Sequence, residues 1–262
     1  MNRTADCLQG ARQRRGQRVP RRLRIPGLKR QRGAALLLLL VVASVTAASL
    51  LISAFSRSNI ERVRERKTIT LLGHATDALV GFAATHGRLP RPAISATDGR
   101  ERAEPCQGEE DCSGYLPWIP LGVDGADSWG KVLRYAVTPG FTQPPVMRVS
   151  AIATKRVQSR DGHGLLFYTV GQDECQLSAQ CAPAIVLSQG RNNLGTHANG
   201  LRQANGAQAN ADEIGNDNAS IGFIGRASSD DARRPGGEFD DLLAVVPLQT
   251  LYERMARAKT LP

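Results

Sequence analysis

The apolar positions of this chain fall into successive patterns, and each predicts a different element. From Ala34 to Phe55 nearly every position is apolar, about 22 residues without an acidic or basic side chain. A helix of that length rises roughly 33 Å, enough to cross the hydrocarbon of a bilayer. From Leu71 the pattern narrows: Leu71, Leu72, Ala75, Ala78, Leu79 and Phe82 recur at helical spacing and need a core to lie against. Between the two, Arg57, Glu61, Arg64 and Glu65 predict an exposed charged collar with partners three and four residues apart. Gly87 followed by Pro90 and Pro92 ends the pattern, so one helix of about 50 residues is implied.

Beyond Gly87 the period changes to two. Leu133, Tyr135 and Val137 alternate along one candidate strand, and Met147, Val149, Ala151 and Ala153 along a second. Leu165 to Val170 and Ala184 to Leu187 predict two more, bounded by turn signals. Leu242 to Val246 predicts an edge strand before Pro247, which suits the first position of a short helix turning Leu248, Leu251, Tyr252 and Met255 inward. The fold class expected is α+β: a long N-terminal helix, in part transmembrane, packed on a small antiparallel sheet. The stretch 192–238 is rich in Asn, Gly, Ala and Ser, and predicts a long polar surface loop, disordered in part.

Charge changes the picture at the N-terminus. The net charge is +10, and residues 1–33 alone hold 11 Arg and Lys against one acid, Asp6, so everything after them is balanced. The basic character is therefore that of a leader and gives no reason to expect nucleic acid. Basic residues beside a span stay cytoplasmic, which would put the leader inside and the chain after Phe55 outside. The pairs Arg14-Arg15 and Arg21-Arg22 read as topology determinants in the same way.

The segment Lys29-Arg30-Gln31-Arg32-Gly33-Ala34-Ala35-Leu36-Leu37 resembles the prepilin leader of type IV pilins and type II secretion pseudopilins. The resemblance implies cleavage between Gly33 and Ala34 by a membrane-embedded prepilin peptidase, with methylation of the new N-terminus. Two positions depart from that family: Ala34 stands where Phe is usual, and Leu38 where Glu is usual. The glutamate is thought to pair with a neighbouring subunit's amine inside the membrane, so Leu38 makes the chain most similar to minor members. Further along, Leu116-Pro117-Trp118, Leu121-Gly122 and the run Asp127 to Tyr135 resemble the aspartate-x-tryptophan-glycine loop and strand of pseudopilin globular domains. Leu187 to Asn192 is similar to their serine-x-glycine turn, and Phe239-Asp240-Asp241-Leu242 to their C-terminal acidic pair.

Of five cysteines, Cys7 lies in the leader, leaving Cys106, Cys112, Cys175 and Cys181 in two pairs of identical spacing within polar loops. Two local disulfides are preferred, with cross-loop pairing the rival, and both suit an oxidising compartment. Short Cys-x-x-Cys knuckles of the zinc type are missing from the sequence. Asn216-Asp217-Asn218 with Asp240 and Asp241 offers the oxygen ligands calcium favours, and several major pseudopilins bind calcium in a C-terminal loop. Asp217, Asp240 and Asp241 are thus the calcium candidates, though no cofactor is required, and solvated turn residues are the alternative. His74, His86, His163 and His197 are scattered, and the sequence has no nucleophile elbow, phosphate loop or dinucleotide fingerprint, so catalysis is not expected.

The expectation is a single-pass inner-membrane protein, N-terminus cytoplasmic and C-terminal domain periplasmic, acting as a minor subunit of a pseudopilus or pilus. Its organisation would be a removed leader at 1–33, a membrane and polymerisation segment at 34–56, a periplasmic amphipathic half-helix at 57–90 and a globular β-rich domain at 91–262. The partners implied are prepilin peptidase, other pilin or pseudopilin subunits, the inner-membrane assembly platform and the lipid bilayer. A membrane-anchored periplasmic binding domain outside any filament is the alternative.

Overall fold

The computed structural model describes residues 32–177 and 180–262, without the side chains at 32–35 and 51–57. The predicted leader and Cys7 lie outside the described residues; Gly33 and Ala34 fall in the first turn of helix α1, Arg32–His86, where only the backbone is described. The chain divides into two units, Met1–Ser53 and Ala54–Pro262. In the first, the side chains at 36–50 are all exposed, and leucines and valines dominate them. Among the described residues no helix is long and apolar enough to cross a membrane. The described side chains reach only 36–50 of the predicted span, fewer than the ~20 a crossing needs.

The second unit is α+β. The predicted stripe of α1 is buried at Leu72, Ala75, Leu79 and Phe82 and half-buried at Leu71 and Ala78. Leu72, Ala75 and Leu79 pack together with the adjoining Ala83. They join one core with Leu133, Tyr135, Val137 and Val186 and with Leu251 and Met255 of the C-terminal helix. Gly87 closes α1 at φ +70°, its N–H donating to Ala83 O at 2.9 Å, a left-handed cap that glycine adopts without steric cost.

The elements that follow are β1 (Ser113–Tyr115), α2 (Trp118–Leu121), β2 (Arg134–Val137), β3 (Arg156–Arg160), β4 (Leu166–Val170), β5 (Ala184–Ser188), α3 (Ala211–Asn218), β6 (Gly222–Ile224), β7 (Leu242–Val245) and α4 (Leu248–Arg257). Strands β1-β2-β5-β7 form an antiparallel sheet with β7 at the edge, as expected. Its one face packs on α1 and α4; Ala136 and Ile185 on the other pack against Val157 and Phe223 of a second sheet, ordered β4-β3-β6. Being covered on both faces explains why β5 is a continuous apolar run, buried throughout.

Three expectations are corrected. The strand read at Met147 to Ala153 is a turn, with Ala151 N donating to Met147 O at 2.8 Å and Val149 75% exposed. The strand lies downstream as β3, whose sequence RVQSR has one buried apolar residue and so gave no alternation to read. The one small sheet expected is in fact two: β1-β2-β5-β7 is antiparallel, but in the second, β4-β3-β6, β3 pairs with β6 in parallel. Third, the stretch 192–238 contains α3 and β6, ordered by polar contacts that composition does not register. Both disulfides are the local pairs: Cys106–Cys112 and Cys175–Cys181, with Cα atoms 5.2 and 5.9 Å apart.

Candidate functional site

Three sequence blocks widely separated along the chain meet at one node beside α1. The loop before β2 folds back on Asp127, whose Oδ1 accepts from Trp129 N and Lys131 N at 2.9 Å, a turn that short carboxylates stabilise. Its Oδ2 accepts from Ser188 Oγ at 2.6 Å, at the end of β5. Asn192 N, four residues on, donates to Asp240 Oδ2 at 2.7 Å. Trp129 points the other way, its Nε1 donating to Glu61 Oε2 of α1 at 2.9 Å, while Ser128 N donates to Thr68 Oγ1 at 3.2 Å. Glu61 also pairs with Arg64 at 3.1 Å, so the collar is partly covered rather than fully exposed; Arg57's side chain lies outside the described residues.

The acid-rich side of the node is built by α3. Asp212, Glu213, Asn216 and Asp217 are its buried residues, spaced i, i+1, i+4 and i+5, while Ile214 is 43% exposed. The helix is thus amphipathic with its polar face inward, held by hydrogen bonds rather than by apolar contact. Asp212 takes Arg160 at 2.7 Å and Arg226 at 2.8 Å. Burial pushes its carboxyl up, but the hydrogen bonds from the two guanidinium groups outweigh this and hold it below the ordinary range. Glu213 accepts from Asp240 N and Asn210 Nδ2, both at 2.8 Å, and Asn216 Nδ2 donates to Asp241 Oδ2 at 2.8 Å.

Glu213, Asp240 and Asp241 bring carboxylate oxygens within 4.8 Å of one another. Burial, with Glu213's charge adding to it, pushes Asp240 up to about 7 against the pull of Asn192 N and Lys131; burial raises Asp241 well above the usual carboxylate range. Asp240 Oδ1 is buried without a partner among the described residues. A cleft of about 220 Å³ opens beside it, lined by Glu61, Glu65, Trp129, Arg191 and Asp230.

Of the predicted calcium candidates, Asp240 and Asp241 come together, but Asp217 does not join them. It faces Arg134 and Arg202 and accepts from Gln189 Nε2 at 2.8 Å, so its charge is matched by guanidinium groups. Glu213 takes the third place. It escaped the sequence reading because it sat in a stretch read as loop; the i, i+1, i+4, i+5 spacing of polar residues at 212–217 was the signal that could have found it. The backbone carbonyls beside these acids are taken by a lysine. Lys131, 1% exposed, has its Nζ on Gln189 O at 3.0 Å, Asn193 O at 2.7 Å and Asn192 O.

What this arrangement does is brace. Side chains from the Asp127 loop, the Ser188 turn, α3 and the Phe239 to Asp241 segment are tied to each other, and Trp129 ties them to α1. Comparison with protein-family models, curated proteins and solved structures returns no match for the chain.

Proposed function

We propose that this chain is a prepilin-like minor subunit of a type II secretion pseudopilus or type IV pilus, working in assembly or in contact with partners rather than in catalysis. The observation that carries the reading is the contrast along α1. Residues 36–50 expose mainly leucine, valine and alanine, with the hydroxyls of Ser44, Thr46 and Ser49 turned back onto the helix's own carbonyls, whereas Leu72 to Ala83 bury a single stripe in the α+β unit. A largely apolar surface of that kind is unfavourable in water by roughly 25 cal/mol per Å² and calls for lipid or other apolar helices around it. The basic leader ahead of Gly33 fits an inner-membrane subunit with a periplasmic C-terminal unit, and two local disulfides suit that compartment. The Asp127 loop, the Ser188 turn and the Asp240-Asp241 pair, the blocks that carry the resemblance, meet at one node, which is consistent with their acting as one structural unit.

N-terminal sequencing of the protein from membranes of a strain with prepilin peptidase tests the proposal. A mature chain beginning at Ala34 is expected; a permanently anchored binding domain would keep residues 1–33.

A further inference from the structure

Lys131 is the largest charged side chain sealed inside the node, and the chain around it is shaped to receive a cation. Its Nζ has three protons and meets three backbone carbonyls, Gln189 O, Asn192 O and Asn193 O. All three belong to one turn that is left-handed at Gly190 (φ +58°), Asn193 (φ +33°), Leu194 (φ +46°) and Gly195 (φ +88°). A leucine there is strained by roughly 1–2 kcal/mol. That strain is the cost of aiming successive carbonyls at one point. The fit extends to the lysine's stem: a Cβ on Gly195 would lie 2.8 Å from Lys131 Cδ, so the turn is moulded on this side chain. The acidic trio is attached to the same turn, because Asp240 accepts from Asn192 N and Asp240 N donates to Glu213.

Carbonyl and carboxylate oxygens gathered in this way are the donor set of hard cations such as calcium. Here the carbonyls are already used. We infer that the Lys131 ammonium is a built-in replacement for a divalent cation: the chain carries its own positive charge into an oxygen-lined site, and its folding is independent of calcium for that reason. Removing the ammonium should turn the site into one that takes calcium. This inference does not depend on whether the chain enters a filament, and its test leaves that reading untouched.

The experiment compares the purified full chain with Lys131→Ala by thermal unfolding and calorimetric titration, in EGTA and in calcium chloride, with propylammonium as a second probe. Wild type should melt at the same temperature in EGTA and calcium. Lys131→Ala should melt lower in EGTA and recover saturably in calcium, and in propylammonium, by about 5 °C or more. Lys131→Met supplies the control: with an apolar chain of similar length in the hole, it should be destabilised without recovering in propylammonium. Saturable stabilisation of wild type by calcium would overturn the inference. So would a Lys131→Ala chain that is as stable as wild type in EGTA, or one that calcium does not restore.

Discussion

Gly190 offers the sharpest test of how the node is assembled. It sits at φ +58° in the turn after β5, and a Cβ there would lie 2.2 Å from Asp240 Oδ1 and 2.4 Å from Asp240 O. The second atom is backbone and cannot swing away. Gly190→Ala therefore carries two penalties: about 1 kcal/mol for a left-handed alanine, and separation of the turn from Asp240. The latter weakens the hydrogen bond from Asn192 N to a carboxylate, a type worth about 1.5–3 kcal/mol. The sum expected is about 2.5–4 kcal/mol. Gly122 isolates the first penalty, because it has φ +65° but open space where its Cβ would go; Gly122→Ala should cost only about 1 kcal/mol. Urea unfolding followed by fluorescence suits the comparison, since Trp129 is hydrogen-bonded within the node and Trp118 packs against Gly99 and Gly125 elsewhere. If Gly190→Ala proves no more costly than Gly122→Ala, the close approach of turn and acidic pair is not the contact described here.

Gly33→Val should leave the full-length precursor in a strain containing prepilin peptidase, and normal maturation on an immunoblot would rule out the prepilin assignment. With Leu38 at the position of the usual glutamate, the mature chain should not polymerise alone, because each interface would repeat an unneutralised amine; homopolymeric filaments seen by electron microscopy would refute this. Cys175→Ser with Cys181→Ser opens a short loop and should cost about 2 kcal/mol in urea unfolding, and non-reducing peptide mapping should recover Cys106 with Cys112 and Cys175 with Cys181. Asp240 titrates near 7 in the folded chain against an ordinary 3.8, so it favours the folded state fully below about pH 3.8 and loses that contribution as the pH rises through 7. After allowance for partial exposure, wild type should lose about 2 kcal/mol between pH 5 and 8, and Asp240→Asn should lose measurably less.

Most elements legible in the sequence are those whose stability comes from apolar burial; β4, expected at Leu165 to Val170 and found there, is largely exposed and is the exception. The α1 stripe, β2 and α4 present core residues at a fixed period and β5 and β7 as short apolar runs, and Leu79, Val137, Val186 and Leu251 are buried accordingly. Pro247 lies one position before the expected one, preceding α4 rather than opening it. The elements that escaped are held by polar chemistry. In β3, Gln158, Ser159 and Arg160 gave no strand signal, yet Arg160 closes on Asp212 of α3. Helix α3 hides carboxylates and turns an isoleucine outward, the reverse of what hydrophobic periodicity detects. The candidate site was half legible for the same reason: Asp240 and Asp241 stood out as a pair, but that Asp217 would turn to arginines and Glu213 replace it depends on the helix they share.

Each disulfide spans only six residues, and helix α1 contains no cysteine. Among the described residues the long helix is therefore held to its domain by packing and hydrogen bonds and not by a disulfide, with Trp129 to Glu61 at one end and Thr260 Oγ1 to Ala84 O at the other. A load applied along such a helix meets the buried stripe from Leu72 to Ala83 in shear, where every contact resists together. The same load applied sideways would peel the contacts one turn at a time. Contacts arranged in this way would hold best against a force along the helix and yield most readily to a force across its axis.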